Sequence, residues 1–200
     1  MPVVSQPIGR RERNKQAKLD RIVAAARELF AEHGVDEVTT QQIADKADIG
    51  TGTLFLYAKS KGELLLLVQN SGYADALARG RSAAESITDT IEAAMAIVRP
   101  VLECNRTQVD NGRTYLREMV FGDHEEPHHR DALELSAQTE EAVAEVLRRD
   151  KRIQSENAPA LARIISAIMF LAMAASVNAT KTVDELAQDL RAQIRVLLQG

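Results

Sequence analysis

Between Val38 and Leu67 the chain reads VTTQQIADKADIGTGTLFLYAKSKGELLLL, and this stretch holds the side chains best suited to grip another molecule. Thr40, Gln41, Thr51 and Thr53 carry short hydroxyls and an amide, Gly52 and Leu56 leave an uncharged surface, and Tyr57, Lys59 and Lys61 follow at once. Hydroxyl and amide groups hydrogen-bond to base edges, while lysines and a phenol suit phosphate oxygens. Such chemistry needs a rigid mount, and the spacing provides one. Thr39 followed three residues later by Gln42 is a capping box, which predicts a helix from Thr40 with Ile43, Ala44 and Ala47 turned inward. Asp48, Ile49 and Gly50 interrupt that pattern, and Gly50 accepts backbone angles other residues avoid, so a turn is expected there. A second helix is expected from Thr51 to about Tyr57, anchored by Leu54 and free of charge. Ser60 and Glu63 form another capping box, so a third helix should open at Lys61 with free amides and a lysine at its positive end. Two short helices joined by a tight turn make a helix-turn-helix, whose second helix fits the major groove of duplex DNA.

The segment Thr39 to Leu64 resembles the helix-turn-helix signature of the TetR family of bacterial transcriptional regulators. That signature has a threonine pair before one helix, a pattern close to Gly-Thr-Leu-Tyr-x-His-Phe in the next, and a lysine opening the fourth. Here these read Thr39-Thr40, Gly52-Thr53-Leu54-Phe55-Leu56-Tyr57-Ala58 and Lys61. Phe55 lacks the phenol, Tyr57 stands in place of the histidine, and Ala58 replaces a bulky aromatic, leaving a gap to be filled from elsewhere. The resemblance implies a ligand-responsive regulator, a repressor that binds palindromic operator DNA as a homodimer and is released by a small-molecule effector. Thr51, Thr53, Leu56 and Gln41, with Gly52 between them, are then candidates for base edges. Thr40, Tyr57, Lys59 and Lys61 are candidates for phosphates. Each has a plainer alternative: Thr40 in helix stabilisation, Lys59 in simple solvation.

Composition bounds the rest. The 200-residue chain is poor in glycine, proline and aromatics and rich in alanine, leucine, glutamate and arginine, without sustained alternation, so the fold is expected to be all α. Its formal charge is -4, yet residues 10 to 21 hold six basic and two acidic side chains, 6 - 2 = +4 locally. Phosphate neutralisation is a local matter, so a mildly acidic chain with one basic face can still bind DNA. Cys104 is the lone cysteine, which excludes an internal disulfide and accords with a cytoplasmic location. The opening MPVVSQPIG does not resemble a signal peptide, and Ile164 to Val177 is too short to cross a bilayer, so no membrane partner is expected. Three regions are expected: a flexible basic arm at 1–14, a helix-turn-helix domain at 15–62, and a ligand-binding and dimerisation bundle at 63–200.

Within the helix-turn-helix domain Leu19, Ile22, Val23, Ala26, Leu29 and Phe30 predict a first helix ending at Gly34. From Lys61 a helix should run to a stop at Gly80. Further helices are expected at about Ala83 to Val98, Arg113 to Phe121, Pro127 to Lys151, Ala158 to Ala179 and Val183 to Leu198, with Pro100 ending or kinking the first of these. In the TetR family this part encloses an effector pocket, and Met95, Tyr115, Met119, Phe170, Met173 and Asn178 are the candidates to line it. Methionines and aromatics at helical spacing are equally ordinary core filling. Ile168 and Leu171, with the seam Leu186, Leu190, Ile194 and Leu197, either complete a monomeric core or meet a second copy in a four-helix interface. Dimerisation would set two recognition helices about 34 to 36 Å apart.

No glycine-rich phosphate loop, serine elbow or metalloprotease helix appears, so an enzyme is not expected, and no cofactor is implied. His124, His128 and His129 sit among acidic residues, but adjacent histidines on a helix diverge, and no metal site is assigned to them. The competing reading is a helical scaffold that binds another protein through its last helices without touching DNA.

Overall fold

The computed structural model describes residues 9–199, all of whose regular structure is helical. The first part of the expected arm lies outside the described residues. Arg10 to Asn14 are not arm-like, because α1 (Arg10–His33) begins at Arg10 and buries Ile22, Ala25, Ala26 and Phe30 along one stripe. Gly34 ends it at φ 79, a left-handed value that suits glycine. Then α2 (Thr40–Lys46) starts on the expected capping box, with Thr39 Oγ1 accepting from the Gln42 amide and Gln42 Oε1 accepting from the Thr39 amide. The turn that follows is made by Asp48, at φ 53, while Gly50 is extended and caps the next helix. Aspartate tolerates this conformation better than most residues, so the left-handed turn expected of Gly50 falls on Asp48 instead.

α3 (Thr51–Leu54) is shorter than expected, and Phe55 to Tyr57 continue as tight turns bonded three residues back, Leu56 to Thr53 and Tyr57 to Leu54. α4 (Lys61–Ala84) passes Gly80 without stopping. The reason is packing. A Cβ on Gly80 would lie 2.9 Å from both the Ala96 carbonyl oxygen and Ile97 Cα of the next helix. That helix, α5 (Thr90–Arg106), continues past Pro100. Proline cannot donate to the carbonyl four residues back, and here that carbonyl belongs to Ala96, the group against which Gly80 lies. The helix therefore does not end at Pro100, and the carbonyl freed by the proline lies at a close helix crossing.

α6 (Val109–Phe121), α7 (Pro127–Arg148), α8 (Ala158–Ala174), a 3-10 turn at Ser176–Asn178 and α9 (Val183–Gln199) complete the described chain. α4 is the central rod and packs on α1, α5, α6 and α7. One apolar cluster runs unbroken from Ile22, Ile43 and Leu54 through Leu64 and Leu65 to Leu102, Tyr115 and Leu190. The reading of α9 as a seam for a second copy needs correction. Leu186, Leu190 and Ile194 are fully enclosed within the protomer, where α9 packs on α5 and α8, and Leu197 is half-buried. A single apolar stripe cannot serve two partners, and the chain's own helices take it. What α8 and its neighbours leave outside is a different set: Ile164, Leu171 (67% exposed), Val177 and Val196.

Asn111 joins the two parts of the fold. From α6, its Oδ1 accepts from the Val35 amide at 2.7 Å, and its Nδ2 donates to the Phe30 carbonyl at 2.7 Å, so it caps the end of α1. Removing it leaves the buried Val35 amide unpaired and takes from the Phe30 carbonyl one of its two donors, the other being the Gly34 amide. Asn111→Ala is expected to lower stability by about 2 kcal/mol, measured by urea denaturation.

Candidate nucleic-acid interface

The α2–turn–α3 unit stands on Ile43, Ala44, Ala47 and Leu54, all buried. Outside it, Thr51 Oγ1 donates to Gln41 Oε1 at 2.7 Å, and Gln41 Nε2 donates to Asp45 Oδ1 at 2.7 Å. Two of the expected base-reading side chains are therefore tied to one another, and Gln41 is held with its amide oriented. Gly52 is exposed with nothing within 4 Å of a would-be Cβ, and Leu56 is 82% exposed.

Thr53, Leu56 and Tyr57 share a concavity of about 980 Å³ with Arg10, Arg11, Asn14, Lys15 and Lys18 of α1. Glu12 is the one acidic side chain on its wall. The Tyr57 hydroxyl donates to the Lys15 carbonyl at 3.4 Å, which ties the end of the α3 segment to α1. Arg10 and Arg11, expected in a flexible arm, thus lie with Lys15 and Lys18 beside the uncharged surface, because α1 begins early enough to carry them as a rigid helix. Helical continuity from Arg10 to Leu19 was the missed signal. Thr40 lies half-exposed at the start of α2.

The two lysines are placed differently. Lys59 forms an ion pair with Glu126 at 2.5 Å, and this hydrogen bond holds its ammonium above the ordinary lysine value. Lys61 Nζ donates to the Asp36 carbonyl at 3.0 Å. Both brace the unit against neighbouring segments.

Ala58, the small residue where the family signature has an aromatic, is buried. Beside it the His128 ring reaches in from α7, with Nε2 2.9 Å from the Tyr57 carbonyl. Ser60 Oγ accepts from the Glu63 amide as the capping box requires, but the Glu63 carboxylate does not return to Ser60. It accepts instead from the His128 amide at 2.7 Å, at the start of α7. The free amides and dipole of a second helix compete successfully for that carboxylate. Burial pushes the Glu63 carboxyl above the usual carboxylate value, while the His128 and His129 amides pull the other way. The folded protein consequently holds that proton more tightly than the unfolded chain. Glu63 contributes stability below the ordinary carboxylate value and loses it as pH rises through the raised one. Glu63→Gln, whose carbonyl can still accept from His128, should flatten this part of the profile when thermal melts are compared with the parent from about pH 4 to 7.

The histidines do not converge. His124 lies beside Glu125, His128 takes the Tyr57 carbonyl, and His129 Nε2 bonds to the Met119 carbonyl at 3.0 Å. Among the described residues no three His, Cys, Asp or Glu side chains are grouped to hold a metal ion. The expected effector-lining residues also scatter. Met95, Tyr115 and Met173 are packed into the core, Met119 and Phe170 are half-buried, and Asn178 donates from Nδ2 to the Ala172 carbonyl. Phe170 does border a groove of about 350 Å³ with Arg113, Arg117 and Phe121. Cys104 is half-buried, and burial pushes its thiol up, away from reactivity. Among the described residues no helix is long and apolar enough to cross a membrane.

Residues 22–68 match the family model for bacterial regulatory proteins of the tetR family. A search of curated proteins found no match. Among solved structures, the chain is similar to FadR of Thermus thermophilus, a TetR-family transcriptional repressor in complex with lauroyl-CoA. The identity is 25%, the TM-score 0.73, and the match covers 91% of this chain and 94% of that one. A putative transcriptional regulator from Rhodococcus sp. RHA1 shares 20% identity at a TM-score of 0.68, covering 91% and 95% of the two chains. The fatty acid degradation regulator FadR of Bacillus halodurans shares 18% at 0.64, covering 99% and 98%, and with the Rhodococcus protein speaks to the fold alone.

Proposed function

We propose that the chain is a DNA-binding transcriptional regulator of the TetR family, a repressor that binds a palindromic operator as a homodimer. The observation that carries this reading is the shared concavity in which uncharged Thr53 and Leu56 lie beside Arg11, Lys15 and Lys18. Groove edges are read by the first kind of group and the flanking phosphates are met by the second. Thr51 and Gln41 read bases as a hydrogen-bonded pair, Gly52 allows close approach, and Thr40 and Tyr57 contact phosphate. Lys59 and Lys61 act chiefly by holding the unit in place, and each still lies near enough to the reading surface to add positive potential.

The same module bounds give the division we propose, with the reading unit ending near Lys61 and the regulatory bundle beyond it. The dimer surface is the outer face of α8, where Ile164, Ala167 and Leu171 are exposed and Ile168 is half-buried. Such a face on each protomer can close a two-fold interface. The effector is an anionic molecule with an apolar tail. The Thermus relative's lauroyl-CoA is of this class, and it is the main support for the reading; the groove with Phe121 and Phe170 offers aromatic surface, with Arg113 and Arg117 set against Asp36 and Asp110 on its wall.

The test is fluorescence anisotropy on duplex DNA from upstream of the protein's own gene, with sedimentation in parallel. Thr53→Val should change sequence preference, and Leu56→Glu should weaken binding to all duplexes at least tenfold while leaving the melting temperature unchanged (about 1.4 kcal/mol or more). Leu171→Glu should yield monomers that bind DNA weakly. Lauroyl-CoA should release the DNA. Retention of DNA by a monomeric Leu171→Glu protein at parental affinity would falsify the dimer assignment, and equal affinity with and without lauroyl-CoA would remove the effector class.

A further inference from the structure

Polar contacts form a continuous path from the bundle interior to the main chain of Tyr57 at the end of the DNA-reading segment, and none of the side chains that carry it belongs to the reading surface. It begins with Tyr115 on α6, whose ring is buried and stacked on Tyr73 of α4 with centroids 6.3 Å apart. The Tyr115 hydroxyl donates to Asn70 Oδ1 at 2.9 Å. Asn70, on α4, donates from Nδ2 to the His128 carbonyl at 2.9 Å. His128, in the first turn of α7, donates its amide to Glu63 and approaches the Tyr57 carbonyl with Nε2 at 2.9 Å. A carbonyl only accepts, so Nε2 carries the proton.

We propose that His128 is the positioning residue that couples the bundle to the recognition segment, with Asn70 and Tyr115 as the relay behind it. The inference rests on the regulator reading above and supplies its route. Asn70 has one amide group and spends its oxygen on α6 and its nitrogen on α7. A shift of α6 that removes the Tyr115 hydroxyl leaves a half-buried amide oxygen without a donor, and the amide must turn to recover one. Turning it releases the His128 carbonyl, and with it the first turn of α7. The imidazole on that turn holds the last carbonyl of the α3 segment, so Tyr57 and the exposed Leu56 before it are freed together. Glu63 keeps the start of α4 in the same cluster, and the Lys59 to Glu126 ion pair runs parallel to it. An effector that prefers the shifted α6 would thereby lower DNA affinity by its difference in affinity for the two arrangements.

Tyr115→Phe removes one hydroxyl, keeps the ring against Tyr73, and lies outside the reading surface. Hydrogen exchange of the amides from Phe55 to Lys61 should quicken about three- to tenfold in this variant, as the loss of one buried hydrogen bond implies, and DNA affinity should fall by a similar factor. In a His128→Ala background the same substitution should add nothing to either readout. His128→Gln, which retains a donor for the Tyr57 carbonyl, should restore the response. Asn70→Leu should abolish it, which serves if His128→Ala folds poorly. Unchanged exchange at Phe55 to Lys61 in Tyr115→Phe, or equal increments with and without His128, would overturn the coupling. Coupled exchange in a protein that binds no DNA would support the relay while sinking the DNA-reading assignment.

Discussion

Replacing Arg11, Lys15 and Lys18 together with alanine is expected to weaken duplex DNA binding by about two to three orders of magnitude near 0.1 M salt, and to make the log–log salt dependence shallower by about 2.7 per protomer. The three side chains are exposed on α1 and border the same concavity as Thr53 and Leu56. Each phosphate neutralised releases condensed counterions and contributes about 0.9 to the slope, so three contacts give the stated change. Sequence preference should survive, because these cations position the protein without reading bases. Anisotropy titrations across a salt series measure both quantities. A large loss of affinity with an unchanged slope would mean that the substitutions damaged the fold or the reading surface. Thermal melts of the triple variant should match the parent, since exposed cations of this kind contribute little to stability.

Gly112→Ala should destabilise the protein by about 3 kcal/mol, lowering the melting temperature by roughly 6 to 12 °C. A Cβ on Gly112 would sit 2.1 Å from the Asn105 carbonyl oxygen and 2.8 Å from Asn105 Oδ1, so the crossing of α5 and α6 must open. Nothing flexible can yield, because the first obstacle is main chain. Asn105 is buried and donates to the Gly112 carbonyl at 3.1 Å, a bond that the opening would also stretch. Gly62→Ala is the contrast: its Cβ meets the far end of the Glu118 side chain, which can swing away, and the cost should be small. Denaturant melts of the two variants side by side would separate backbone from side-chain obstruction.

The regulatory bundle shows where local pattern loses to tertiary competition. Pro100 carries a strong helix-ending signal, yet α5 continues for six more residues to Arg106. A proline costs one hydrogen bond and some steric room, and the surrounding helices hold the chain in place regardless. Glu63 shows the same in polar form. Its spacing from Ser60 predicts a local reciprocal cap, and the carboxylate goes instead to α7, a partner 65 residues away in the chain. Leu186, Leu190 and Ile194 make an apolar seam that reads equally well as core or interface, and only the positions of α5 and α8 decide for core.

By itself the sequence determined the helical class, the reading unit and its anchors, because those depend on short-range facts: 3.6-residue periodicity, a cap three residues from its partner, a turn between two apolar stripes. The capping box at Thr39 and the inward Ile43 and Leu54 stand where their spacing places them. Tertiary structure alone decided which polar groups face one another across the fold, among them Asn111 at the end of α1, Lys61 on the Asp36 carbonyl, and His128 between Tyr57, Glu63 and Asn70. Hydrogen bonds are short and directional, so their partners are chosen by how rigid helices come to rest, and residues 25 to 81 positions apart carry no local pattern that could announce them.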